Sequence, residues 1–148
     1  MQWVFLLMAL VAGCGISLQS VINAELGRGL GHPVSAAFVS FAVGTLALFV
    51  YVLATRLPLA TPAKLAALPW WTWVFGGLIG AYFVSAAASL APRLGVTVFF
   101  MTVVAGQLGM ALLLDHFGWL GLSERPVSAG RLAGIALMVA GIYLTRRF

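Results

Sequence analysis

Residues 2–29 read "QWVFLLMALVAGCGISLQSVINAELGRG". No Asp, Glu, Lys or Arg interrupts the run before Glu25, so it holds the roughly 20 apolar residues that a helix needs to cross a hydrocarbon core. An open segment in lipid can satisfy its backbone amides and carbonyls internally only as an α-helix. The run has no basic n-region and no small-residue cleavage site, and it continues past Gly15 without a stop. It is therefore expected to remain as a first membrane helix rather than to be removed as a secretory signal. The fold class that follows is an all-α integral membrane protein.

The same pattern recurs along the chain. Of its 148 residues, 63% are hydrophobic and 7% charged, against about 25% charged in a soluble domain, so almost nothing is left for a domain in water. Five transmembrane helices are expected, over residues 2–24, 33–55, 69–90, 94–116 and 128–146, forming a single domain over 1–148. Pro33 and Pro69 suit the first turns of the second and third spans, and Gly29 and Gly31 suit the turn before the second. "LAPRLG" (90–95) is short enough to make the third and fourth spans an antiparallel hairpin; residues 56–69 and 118–130 form the longer loops. Trp3, Trp70, Trp71, Trp73 and Trp119 fit interfacial aromatic belts. Cys14, the one cysteine, is read as a small packing residue.

Five spans put the termini on opposite sides. The N-terminal side then carries Arg56, Lys64, Arg125 and Arg131, and the other side Arg28, Arg93, Arg146 and Arg147. Orientation follows an excess of Lys and Arg in cytoplasmic loops, and this chain has none, so insertion in both directions is expected. Two oppositely inserted copies would form as a homodimer the inverted-repeat arrangement that many transporters carry in one polypeptide. The basic residues form no stripe, so the net charge of +5 points to lipid headgroups and away from nucleic acid.

Within the spans, polar and small residues carry the functional signal. Gln107 lies near the middle of the fourth span, between Gly106 and Gly109. It reads equally as an interhelical hydrogen bond or as a ligand contact in a central cavity, because a buried amide is costly without partners. Gln19 and Asn23 follow Gly15 at intervals of four, with Ser20 alongside, and suggest the wall of a hydrated path. Thr45, Ser85, Ser89 and Thr102 can bond their own helix backbones. Gly76 with Gly80, Gly130 with Gly134, and Gly141 are spaced for helix packing, making the third and fifth spans the expected contact helices. Asp115 and His116 close the fourth span, where the helix dipole disfavours an acid. Asp115 therefore calls for a basic neighbour such as Arg131, with proton exchange at Asp115 or His116 as the alternative; Glu25, at the end of the first span, is a weaker coupling candidate. No nucleophile–base pair, metal-ligand spacing or phosphate loop is present, so neither an enzyme nor a metal or other cofactor is expected.

"QSVINAELG" (19–27), "PWWTWVFGGLIGAYFVSAAASLAPRLGVT" (69–97), "GQLGMALLLDHFGWLG" (106–121) and "RLAGIALMVAGIYL" (131–144) resemble the YdcZ-like family of the drug/metabolite transporter (DMT) superfamily, over essentially the whole chain. The resemblance implies a bacterial inner-membrane protein equivalent to half of a ten-helix inverted-repeat transporter, completed by an antiparallel copy of itself or an oppositely oriented paralogue. Smaller multidrug-type relatives carry a membrane-embedded glutamate in the first helix; this chain has Gly and Cys there, which argues against cation/proton antiport.

The expected function is alternating-access transport of a small neutral or amphipathic molecule. Gln107, Gln19 and Asn23 are the polar contacts, and Tyr82, Phe83, Phe99 and Phe100 supply apolar lining. A passive pore and a non-transporting assembly subunit are the rival readings. Balanced basic residues predict that reporters fused at Phe148 give signal from both sides of the membrane; signal from one side only refutes dual insertion.

Overall fold

The computed structural model describes residues 2–147. They form α1 (Gln2–Leu30), α2 (Pro33–Thr55), a short α3 (Pro62–Ala66), α4 (Trp70–Leu94), α5 (Val96–Phe117), a single 3₁₀ turn (Trp119–Gly121) and α6 (Ala129–Arg147). There is no strand among the described residues. α1, α2, α4 and α5 are long and apolar enough to cross a membrane. α6 forms where a fifth span is expected, but Arg131 lies in its first turn and Arg146 and Arg147 in its last. The uncharged stretch between them, residues 132–145, is about 21 Å of helix at 1.5 Å per residue, shorter than the hydrocarbon thickness.

Helix ends follow local chemistry. α1 runs past the expected end at residue 24 to Leu30, because the segment beyond the apolar run carries an i,i+3 ion pair between Glu25 and Arg28 that favours helix. At about 44 Å it is longer than the core is thick. α2 starts at Pro33, with His32 as N-cap accepting the Val34 amide on Nδ1 at 3.2 Å, and it ends at Arg56 in the left-handed conformation. Pro69 stands just before α4, its carbonyl accepting both the amide and the hydroxyl of Thr72. A single residue, Gly95, separates α4 from α5.

The chain divides into two compact units, Met1–Arg93 and Leu94–Phe148. In the first, α1 packs along α2. The buried residues of α1 are Ser20, Asn23, Ala24 and Gly27, the i, i+3, i+4, i+7 pattern of a single helix face, and those of α2 are Ala36 and Ala37. Gly27 sets the approach: a Cβ there would lie 3.2 Å from Pro33 Cα and 3.6 Å from Ala36 Cβ. α4 reaches α2 where the Phe41 ring lies 3.3 Å from the Cβ position of Gly80, and it buries Ala87, Ala88 and Ala91. This is packing by small residues, as expected where lipid tails remove the hydrophobic reward for association.

In the second unit, α5 packs on α6, with Met101 Cε 3.6 Å from the Cβ position of Gly141. α5 ends at Gly118, whose φ of +60° closes the helix by a left-handed residue. The segment beyond folds back so that the Arg125 amide donates to the Asp115 carbonyl at 2.7 Å.

Most large apolar side chains face outward, including Trp3, Trp70, Trp71, Trp73 and Trp119. In lipid that surface needs no cover. Cys14 is also exposed, so the packing role expected for it is not exercised within the chain; a small side chain on an outward face has only lipid or a second chain to meet.

The 3.2 Å approach at Gly27 predicts that Gly27→Val costs about 1–3 kcal/mol, since the atom in the way is backbone and cannot rotate aside. Gly29→Val, where nothing lies within 4 Å, is the control. Thermal unfolding in detergent should show a clear loss for the first and little change for the second; equal midpoints refute the close α1–α2 approach.

Candidate functional site

Several hydroxyl groups inside these helices are satisfied locally, Ser85 and Thr102 among the four expected to do so, whereas Thr45 and Ser89 make no such bond. Ser17 donates to the Gly13 carbonyl, Ser20 to Ser17, Ser85 to Ala81, Thr102 to Val98 and Thr145 to Gly141, at 2.8–3.2 Å. A short hydroxyl can fold back on the turn before it. A primary amide carries two donors and an acceptor and has no comparable local solution.

Asn23 is the clearest case. It is 3% exposed, and its Nδ2 has no hydrogen-bond partner. Gln19, one turn earlier, is exposed and lines a recess of about 220 Å³ with Ser40, Phe41, Gly44, Thr45 and Leu48 of α2 and Val84 of α4. Gly15 has open space beside it. The three-residue stripe thus straddles the edge of the α1–α2 interface, because each four-residue step advances about 40° around a helix of 3.6 residues per turn. Gln19 sits outside that edge and Asn23 inside it. Ser40 and Gly44 have one signal in the sequence, their spacing of four on the helix following α1.

The remaining candidates lie apart from this pair. Tyr82 on α4 is 76% exposed and Phe83 half-buried. On α5, Phe99 is buried and meets Phe100 edge-on at 5.1 Å; Phe100 also lines an apolar groove of about 390 Å³ with Thr97, Met101, Val104 and Met138. Gln107 is exposed on α5. Gly76, Gly130 and Gly134 have nothing within 4 Å of their Cβ positions. Glu25 is exposed and engaged with Arg28.

Asp115 has the basic neighbour its position calls for: Arg131 of α6 donates from Nη1 to Oδ2 at 3.3 Å. Both side chains are 37% exposed. They stand at one end of a recess of about 360 Å³ whose other walls are Leu108, Ala111, Leu112, Gly134 and Ile135, a polar head beside an apolar trough. His116 accepts the Val127 amide on Nδ1 at 3.4 Å, which ties the returning loop to α5. Among the described residues no group of three or more His, Cys, Asp or Glu could hold a metal ion.

Comparison with known proteins agrees with this membrane architecture. Residues 4–144 match the model of the family described as "Putative inner membrane exporter, YdcZ". The chain is 30% identical over 139 residues to the inner membrane protein YdcZ of Escherichia coli (strain K12), covering 93% of this chain and 91% of that protein. No solved structure matches. The chain belongs to the YdcZ family and is a multi-pass inner-membrane protein, and the description of that family supports a membrane transporter.

The Asp115–Arg131 pair is more than a third exposed, so its coupling is expected to be modest, below about 1 kcal/mol. A double-mutant cycle of Asp115→Asn and Arg131→Gln, read by thermal unfolding, measures it. Strict additivity of the two changes refutes the contact.

Proposed function

We propose that the chain is one half of a small-molecule exporter that works by alternating access as an antiparallel homodimer, with α6 serving as a fifth span. The observation that carries this reading is Asn23: an amide 3% exposed with an unpartnered donor, one turn from Gln19, which lines a recess with Ser40 and Thr45. A donor left unsatisfied in a nonpolar interface costs about 1–3 kcal/mol. A site whose polar group is completed only when cargo or a second chain arrives gives that cost a use.

Several further features support the dimer. Four basic residues stand on each expected side, giving neither orientation an advantage. The open faces at Gly76, Gly130 and Gly134 leave close-approach surface for another helix. The fifth span is short for the bilayer, yet Arg131, Arg146 and Arg147 lie at its ends, where long side chains reach the interface while their stems stay in hydrocarbon. Inversion of one copy would put one Gln19–Asn23 pair and one Asp115–Arg131 pair at each mouth and bring the two Gln107 residues toward the shared midplane. Gln107, exposed on its own chain, then gains an occupant to face. Tyr82, Phe83, Phe99 and Phe100 supply aromatic surface that favours neutral or amphipathic cargo over bare ions.

Efflux of a neutral amphipathic fluorescent dye from proteoliposomes tests the reading. Asn23→Leu and Gln107→Leu should each lower flux by about tenfold, the equivalent of about 1.4 kcal/mol and so within the range of one buried hydrogen bond. Dimer yield should stay near the parent's, and Asn23→Leu, which removes the unpaired donor, should unfold no lower than the parent. Flux that survives both substitutions removes the amides from the path, and loss of the dimer with either makes them assembly contacts.

A further inference from the structure

One recess of the first unit has a chemistry that the transport reading does not use. Arg28 in the last turn of α1 and Arg93 in the last turn of α4 both line a hollow of about 300 Å³, together with Ala24, Gly27, Gly31, Pro33, Ala88, Ser89 and Pro92. α1 and α4 therefore finish beside the turn at which α2 begins. Small residues make the hollow: Ala24, Gly27 and Ala88 are buried and form an apolar floor. No carboxylate lines it. Glu25 engages Arg28, but it belongs to a separate groove with Ile22, Leu26, Gly29 and Leu30. Arg93 has no carboxylate partner among the described residues.

We propose that this hollow binds a phosphate anion, held by the guanidinium groups of Arg28 and Arg93 with the Ser89 hydroxyl as a further donor. A guanidinium presents a planar fork of donors that matches phosphate oxygens. An apolar, low-dielectric floor weakens the screening that would otherwise cancel such an attraction, and the N-terminal end of α2 adds positive potential of its own. Small residues leave space where larger ones would fill the hollow. Glu25 acts as an internal competitor for Arg28, so the site is tunable: removing that carboxylate frees the second guanidinium. The phosphate is either the headgroup of an anionic phospholipid or a phosphate-bearing solute, and the two sources separate by experiment.

The test uses the full chain in detergent, with apparent affinity for phosphatidylglycerol and phosphatidylcholine read by native mass spectrometry. The parent should bind phosphatidylglycerol in preference to phosphatidylcholine. Arg28→Gln and Arg93→Gln should each weaken phosphatidylglycerol binding about fivefold, the change associated with one basic residue at an anionic surface. Glu25→Gln should strengthen it, and Arg56→Gln, remote from the hollow, should leave it unchanged. Competition by millimolar inorganic phosphate identifies a free phosphate group as sufficient; no competition, with the arginine effects intact, identifies the lipid headgroup. The proposal is overturned by equal binding of the two lipids without phosphate binding, by an Arg56→Gln effect as large as the others, or by weaker binding in Glu25→Gln. Because Glu25→Gln is expected to gain affinity, a misfolded variant cannot imitate the result.

Discussion

Hydrocarbon offers a backbone amide nothing to bond, and the whole structure follows from that constraint. Every residue placed in the bilayer must find its partner within its own helix, so long apolar runs have one conformational option, and the devices that end helices gather where water returns. His32 caps α2, Arg56 and Gly118 adopt left-handed conformations after α2 and α5, and the Asp115 carbonyl at the end of α5 is taken up by the returning Arg125 amide. Once the helices exist, the same solvent removes the usual reward for burying apolar side chains. What remains is close contact, and the residues that allow it are Gly27, Ala36, Gly80 and Gly141.

Polar side chains divide by what a single helix can do for them. A hydroxyl can fold back on its own turn, as Ser85 and Thr102 do. Charged groups meet at the ends, where Asp115 finds Arg131 and Glu25 finds Arg28. Amides fit neither category. Asn23 stands out as buried without a partner for its Nδ2.

Much of this is legible in the sequence, and the differences have separate physical causes. α2 begins and ends where periodicity and Pro33 put it, because proline and cap chemistry act within one turn. α1 overshoots its apolar run, since a hydropathy edge marks the end of the hydrocarbon and not the end of the helix. The short α3, with Thr61 as N-cap, has five residues, too few for periodicity to register. Asp115 advertised a need for a cation by its place at a helix C-terminus, and a basic residue on the next helix could be named. Ser40, Gly44 and the arrangement of Arg28 beside Arg93 gave no such notice, for each depends on which helices lie side by side.

Composition alone determines that this chain is helical and membrane-embedded; these properties come from local hydrogen bonding and transfer into lipid, which act residue by residue. Tertiary structure decides which members of a stripe are buried. Gln19 and Asn23 are one turn apart in the chain, yet one opens to a recess and the other is buried. That difference arises from the azimuth at which a neighbouring helix docks, set by the contact of Gly27 with Pro33 and Ala36.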